Sequence, residues 1–141
     1  NAFVGRVRAR LEAMGAAGDV EFLPNLGRTD KMDFLRGLSV LSVPATFGEA
    51  FGLYVLEALA MRVPVVEPRH GSYPELVEAT GGGVLCAPGD AGALAEAVEG
   101  LLLDRGKLAE LGARGRAAVE EKFGVERTAA AMAAVCAKVM R

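Results

Sequence analysis

The sequence predicts an α/β fold: a doubly wound parallel sheet with extra helices at the C-terminal end. Three observations predict it. Segments of strand character alternate with segments of helical periodicity, the pattern of a sheet built from crossovers. The run Val63–Val66 is apolar throughout, which suits a strand covered on both faces. Glycine- and proline-bearing loops follow the ends of the strand segments. The 141 residues fit one domain with one core, and 52% of them are apolar, enough to fill it.

The elements follow in order. Phe3, Val7, Leu11 and Met14 recur at helical spacing and mark an amphipathic helix, which Gly15 and Gly18 end. Asp19–Leu23 is short and alternates, so a strand is expected there. Pro24–Arg28 is a loop. Thr29 is a suitable N-cap, with Asp30 and Asp33 in a first turn that favours acid, and the helix closes near Gly37. Ser39–Val43 is the next strand and Pro44 stops it.

Residues 44–66 then read as a strand end, a glycine-bearing loop, a helix and the strand Val63–Val66. Pro68–Tyr73 is a loop holding the only histidine, His70. Pro74 suits a first helical position, with Glu75 and Glu78 after it. Gly81, Gly82 and Gly83 end that helix and lead to a strand at Val84–Cys86. Asp90 caps a helix to about Leu103, a further helix covers about Lys107–Phe123, and a last one is expected to turn Val125, Thr128, Met132, Val135 and Val139 inward.

Composition excludes several classes. Sixteen basic and 18 acidic residues leave a net charge of −2, with no clustered basic face for nucleic acid. No apolar run reaches the length of a membrane span, and no signal peptide is expected. Cys86 and Cys136 lie far apart in apolar segments and are expected as two buried thiols in a reducing cytoplasm. The chain starts at Asn1 with a helical pattern close behind, which suggests a piece of a longer protein.

Right-handed crossovers would bring the strand C-terminal ends, and so the loops 24–29, 44–52, 67–73 and 87–90, to one edge, where such folds bind ligands. The loop 47–52 enters a helix at Gly52 and Leu53, whose free N–H groups and dipole make a seat for an anion. Glu57 lies roughly 7–8 Å further along the axis at about 1.5 Å per residue. Its helical neighbours Leu53, Tyr54, Ala60 and Met61 are largely apolar, an environment costly for a carboxylate unless something binds it. Glu49 flanks the anion seat on the other side. Carboxylates repel phosphate but accept well from sugar hydroxyls. Sugar, phosphate and ribose in that order describe a nucleotide-sugar.

The stretch from Glu49 to Glu57 (Glu-Ala-Phe-Gly-Leu-Tyr-Val-Leu-Glu), followed by Pro-Val-Val, resembles the donor-site signature of retaining GT-B glycosyltransferases of family 4. Val20–Leu26 with Lys31, Val43–Pro44, Gly71–Glu75, Gly83–Leu85, Pro88–Asp90 and Arg116–Phe123 extend the resemblance over nearly the whole chain. It implies a Rossmann-like half of a GT-B fold, the donor-binding domain over 1–141. Glu49 would then be the catalytic candidate that contacts hydroxyls of the transferred sugar, and Glu57 would hold the ribose. Ala50, Phe51, Gly52 and Leu53 would face the sugar and diphosphate through the backbone. Leu23, Pro24 and Asn25 would lie near the base, with His70 and Gly71 as further candidates.

The resemblance also implies retention of configuration and no cofactor or metal, the helix dipole and basic side chains stabilising the leaving diphosphate. The partner would be an acceptor domain of the same full-length protein, in the cytoplasm or peripheral at a membrane. The basic residues for the diphosphate would lie upstream of Asn1, so the chain alone is expected to be inactive. Arg62 stands where the family usually has glycine, and Ser72 replaces the second glycine of the later loop. A non-catalytic nucleotide-sugar binding module and part of a GT-B sugar-nucleotide epimerase are the alternatives.

Overall fold

A computed structural model describes residues 2–140 and divides into two compact units, residues 1–31 and 32–141. In the first unit, α1 (Ala2–Ala13) ends at Gly15, whose φ of 70° lets the N–H groups of Gly15 and Ala16 turn back to the carbonyls of Glu12 and Leu11. Val7 and Leu11 are half-buried, whereas Phe3 and Met14 are exposed. The expected strand at 19–23 does not form. Ala17–Asp19 is a short 3-10 turn and Val20 is extended, but among the described residues of this unit there is no neighbouring strand for a ladder. The Arg8 guanidinium lies 4.4 Å from the centre of the Phe22 ring instead. The helix α2 (Arg28–Gly37) starts one residue before Thr29, so Thr29 sits in its first turn rather than at its cap.

The second unit is built on β1 (Val65–Pro68) and β2 (Gly83–Cys86), parallel and in register from Val65 opposite Gly83 to Pro68 opposite Cys86. Leu41 adds a parallel bridge on the other side of β1, so β1 is central. The expected strand 39–43 contributes only that bridge. β1 itself lies two residues later than the apolar run suggested and takes in Glu67 and Pro68.

All four residues of β1 are buried, and successive side chains feed opposite faces. Val65 joins a cluster with Leu35, Val55, Leu59, Tyr73 and Leu76. Val66 joins another with Cys86, Leu101 and Leu111. The first is covered by α3 (Leu53–Ala60) and α4 (Tyr73–Thr80), the second by α5 (Ala91–Leu103). The long α6 (Arg105–Lys122) serves both clusters, with Leu111 in one and Val119 against the other. This is the predicted two-faced α/β arrangement. Each fully buried valine adds about 1.5–3 kcal/mol relative to exposure.

Caps set the helix ends. Asp90 accepts from the Ala93 N–H at 3.0 Å, and Asp104 from the Lys107 N–H at 2.9 Å. The exit of α3 holds Arg62 at a φ of 63°. Its N–H reaches the Leu59 carbonyl and that of Val63 reaches Ala58, the turn that glycine usually serves. Arginine therefore keeps the glycine geometry here, and Gly112 of α6 packs so closely on the Arg62 carbonyl that a Cβ would meet it.

Two expectations fail at the C-terminal end. The stripe of α7 (Val125–Val139) is not inward: Val125, Met132, Val135 and Val139 are all exposed, and the helix buries no residue. Cys136, on the same helix, is exposed, while Cys86 is buried as expected. Periodicity identified the helix but not whether anything lies against its apolar side. Among the described residues, no helix is long and apolar enough to cross a membrane.

Candidate functional site

The strand ends of the second unit release three loops at one edge. The loop after residue 43 carries Glu49, Ala50 and Phe51 to Gly52, whose left-handed φ of 81° turns the chain into α3. The loop after β1 carries Arg69, His70, Gly71 and Ser72 into α4. These two loops are stitched together. The Ser72 N–H donates to the Glu49 carbonyl at 2.9 Å, and His70 Nε2 lies 2.8 Å from the Ala45 carbonyl. Since a carbonyl only accepts, Nε2 carries the proton. Gly71, at a φ of 58°, lies so near the Glu49 backbone that an added Cβ would be 2.6 Å from its nitrogen.

Glu49 is half-buried. Oε1 accepts from the Phe51 N–H at 3.2 Å and Oε2 from the Tyr54 hydroxyl at 3.0 Å. Those donors hold its carboxyl below the usual carboxylate range, the Phe51 amide most and Tyr54 next. Two further lone-pair positions remain on the oxygens. The Phe51 amide is thus engaged by Glu49. In an α-helix the amides of the first turn, here Leu53 and Tyr54, have no partner within the helix itself.

Glu57 stands one turn beyond Tyr54 and is half-buried. Its surroundings differ from the expected buried face. Tyr54, Ala60 and Met61 are only partly covered and Leu53 is 65% exposed, while the buried side of α3 is Val55, Leu56, Ala58 and Leu59. Among the apolar neighbours of Glu57, Tyr54 and Met61 pack against the first core cluster and only Leu53 is exposed. Leu23, Pro24 and Asn25 belong to the first unit, where Leu23 is exposed and Asn25 adopts a left-handed φ of 55°.

Sequence reasoning missed three residues at this edge. Glu67, the third residue of β1, is fully buried, and the Val43 N–H points at both its oxygens (3.3 and 3.2 Å). Burial pushes its carboxyl up to about 8, with the Val43 amide opposing, so it is largely neutral at pH 7. Running the strand two residues further would have exposed this carboxylate in the sequence. Tyr73, also fully buried, has its hydroxyl 2.5 Å from that of Tyr54 and 3.4 Å from the Val43 carbonyl. Tyr54 read as an apolar helical neighbour and Tyr73 as the end of a loop, although a buried phenol requires a partner.

Two clefts open nearby. One of about 250 Å³ lies between Pro44–Thr46, Pro68 and the turn after β2. The other, of about 220 Å³, lies between Phe51, Ser72, Glu75 and Phe123. Glu49 and Glu57 line neither.

Comparison with known proteins is consistent from three directions. The family described as glycosyl transferases group 1 matches residues 3–118. The lipopolysaccharide core biosynthesis mannosyltransferase LpsB of Rhizobium meliloti is 35% identical over 144 residues, covering 99% of this chain and 40% of that protein. Among solved structures, Anabaena Alr3699/HepE in complex with UDP superposes with a TM-score of 0.87 at 25% identity, over 97% of this chain and 37% of that one. Sucrose-phosphate synthase from Thermosynechococcus elongatus gives 0.86 at 27%, over 99% and 35%. The chain spans well under half the length of these proteins. It belongs to the glycosyl transferases group 1 family, and its structural neighbours have the GT-B fold.

Proposed function

We propose that this member of the group 1 glycosyl transferases supplies the donor site for retaining transfer from a nucleoside-diphosphate sugar. The observation that carries the reading is the placement of two carboxylates about one helix start. Glu49 is held at the N-terminal end of α3 with lone pairs to spare, and Glu57 stands half-buried further along the same helix. An ionised carboxylate with free lone pairs accepts from sugar hydroxyls and does not compete for phosphate. The mannosyltransferase likeness and the UDP complex of HepE support the same chemistry.

In this reading Glu49 orients the transferred sugar and Glu57 holds the ribose. The diphosphate sits against Ala50, Phe51, Gly52 and Leu53, where the first-turn amides and the helix dipole favour the charge that develops on the leaving group. His70 and Gly71 keep the sugar loop in place. No metal has a role. Arg69 is the one basic side chain, apart from His70, in the strand-end loops of the second unit. Further cationic groups come from an earlier strand-loop segment of the same domain and the acceptor site from a second domain, so the chain alone binds donor without turning it over.

A thermal-shift panel of UDP, ADP and GDP with their glucose and mannose derivatives tests this. One nucleotide series should raise the melting temperature of the chain, and Glu57→Ala should remove the shift while leaving the fold intact. A full shift in Glu57→Ala would remove Glu57 from the site. The absence of any shift across the panel, checked by calorimetry at millimolar ligand, would refute a preformed donor site.

A further inference from the structure

The hydroxyls of Tyr54 and Tyr73 form a chain that ends on Glu49. Three distances define it: 3.0 Å from Tyr54 to Glu49 Oε2, 2.5 Å between the phenols, and 3.4 Å from Tyr73 to the Val43 carbonyl. Each phenol has one proton, so only two directions satisfy the middle link. Either Tyr73 donates to Tyr54 and Tyr54 to Glu49, or Tyr54 donates to Tyr73 and Tyr73 to Val43. The first uses the two short contacts and ends on a charge; the second uses the long one and ends on a neutral carbonyl. Charge-assisted bonds are the stronger class, so the chain runs toward Glu49.

We propose that Tyr54, oriented by Tyr73, is a positioning residue for Glu49, fixing its carboxylate in the rotamer that meets the donor sugar. The proposal rests on the donor-site reading above. The ring of Tyr73 is locked in the first core cluster, so the relay refers Glu49 to the rigid sheet rather than to its own loop. The Glu49 backbone is tied to the next loop, but its side chain gets little packing from Phe47 and Phe51 on either side, which are exposed. Rigid support of this kind is what holds a binding group within a fraction of an ångström of its working position. Burial is the main cause of the raised Tyr73 pKa, and the nearby acid Glu67 adds a smaller push in the same direction.

Two measurements on the 141-residue chain test it. Carbon-13 titration of the Glu49 side-chain carboxyl should place its midpoint below the ordinary glutamate value. Tyr54→Phe should move it up, and Tyr73→Phe should move it the same way by less. Calorimetry with UDP and UDP-glucose (and the ADP and GDP pairs) should show a gain in affinity from the sugar. Tyr54→Phe should lose about tenfold or more of that gain, as for one charge-assisted bond, with affinity for the bare nucleotide unchanged. An unmoved Glu49 midpoint in a folded Tyr54→Phe chain would overturn the relay. A moved midpoint with an intact sugar gain would overturn the positioning role. Failure of the wild-type chain to bind any nucleotide would instead strike the donor-site reading, and the positioning role with it, while the titration would still report the hydrogen-bond chain.

Discussion

Glu49 and Glu67 lie at the same edge of the second unit and have opposite fates. Glu49, in a loop, collects an amide and a phenol and stays charged. Glu67, at a strand end, has only the Val43 amide and no exposure, and keeps its proton to about pH 8. Solvent access decides between them more than donor count does, because one amide cannot replace the water that a buried carboxylate loses. An acid at a strand end is thus a structural element here, while an acid a few residues into a loop remains available to a ligand.

The largest test of that contrast acts on the joint between the two loops. Gly71→Ala should push the Glu49 loop away and strain a left-handed backbone, costing about 3 kcal/mol or more in urea unfolding. A cost under about 1 kcal/mol would mean that the loops are not held together as described.

Next comes Glu67. Its folded-state pKa is raised, so between about pH 4.5 and 8 the unfolded chain has lost the proton that the folded chain still binds. Stability should therefore fall as pH rises through that window, by up to about 1.4 kcal/mol per pH unit from this group. Glu67→Gln keeps an acceptor for Val43 and removes the charge, so it should flatten that slope and gain about 1–3 kcal/mol near pH 8. A slope unchanged by the substitution would show that Glu67 is ionised in the fold. Glu49 has the opposite sign: its contribution is present above the unfolded pKa and is lost as pH falls through the lower folded value. Glu49→Gln should weaken only that acid limb, measured by the same unfolding series.

The smallest effect is expected at the other end of α3. Gly52 and Arg62 bracket this helix, both left-handed, and only one is glycine. Arg62→Gly should relieve the strain and stabilise the chain by about 0.5–1 kcal/mol, net of the entropy glycine adds to the unfolded state. A loss of stability would mean that the Arg62 side chain makes a contact worth more than the strain.

The helices were legible because their causes are local, and so was the Asp90 cap, though Thr29 falls inside its helix and the Asp104 cap was not anticipated. Asp90 needs only the amide three residues ahead, and Gly81 only its own φ of 59°. Glu57 stood out in the sequence because its helical neighbours are apolar, and Glu49 and Gly52 because a glycine-bearing loop leads them into the helix. The strands were less legible. A ladder is a property of two segments, so 19–23 has strand character without a partner and 39–43 pairs only at Leu41. Glu67 was lost with the end of β1. The apolar stripe of α7 shows the converse limit: its spacing specifies a helix with one oily side, and nothing in that spacing says what will cover it.

The pairing order in the sheet also bears on how the second unit is assembled. Leu41 pairs with Val65, and β1 pairs with β2, so every contact in the sheet joins one strand segment to the next along the chain. Each step closes a single crossover, and the entropy of closing a loop grows only slowly with its length. The sheet can therefore grow one strand at a time in the order of synthesis, with β1 as the template for both neighbours. Substitutions in β1 should then slow refolding, whereas those in α7 should leave the refolding rate unchanged.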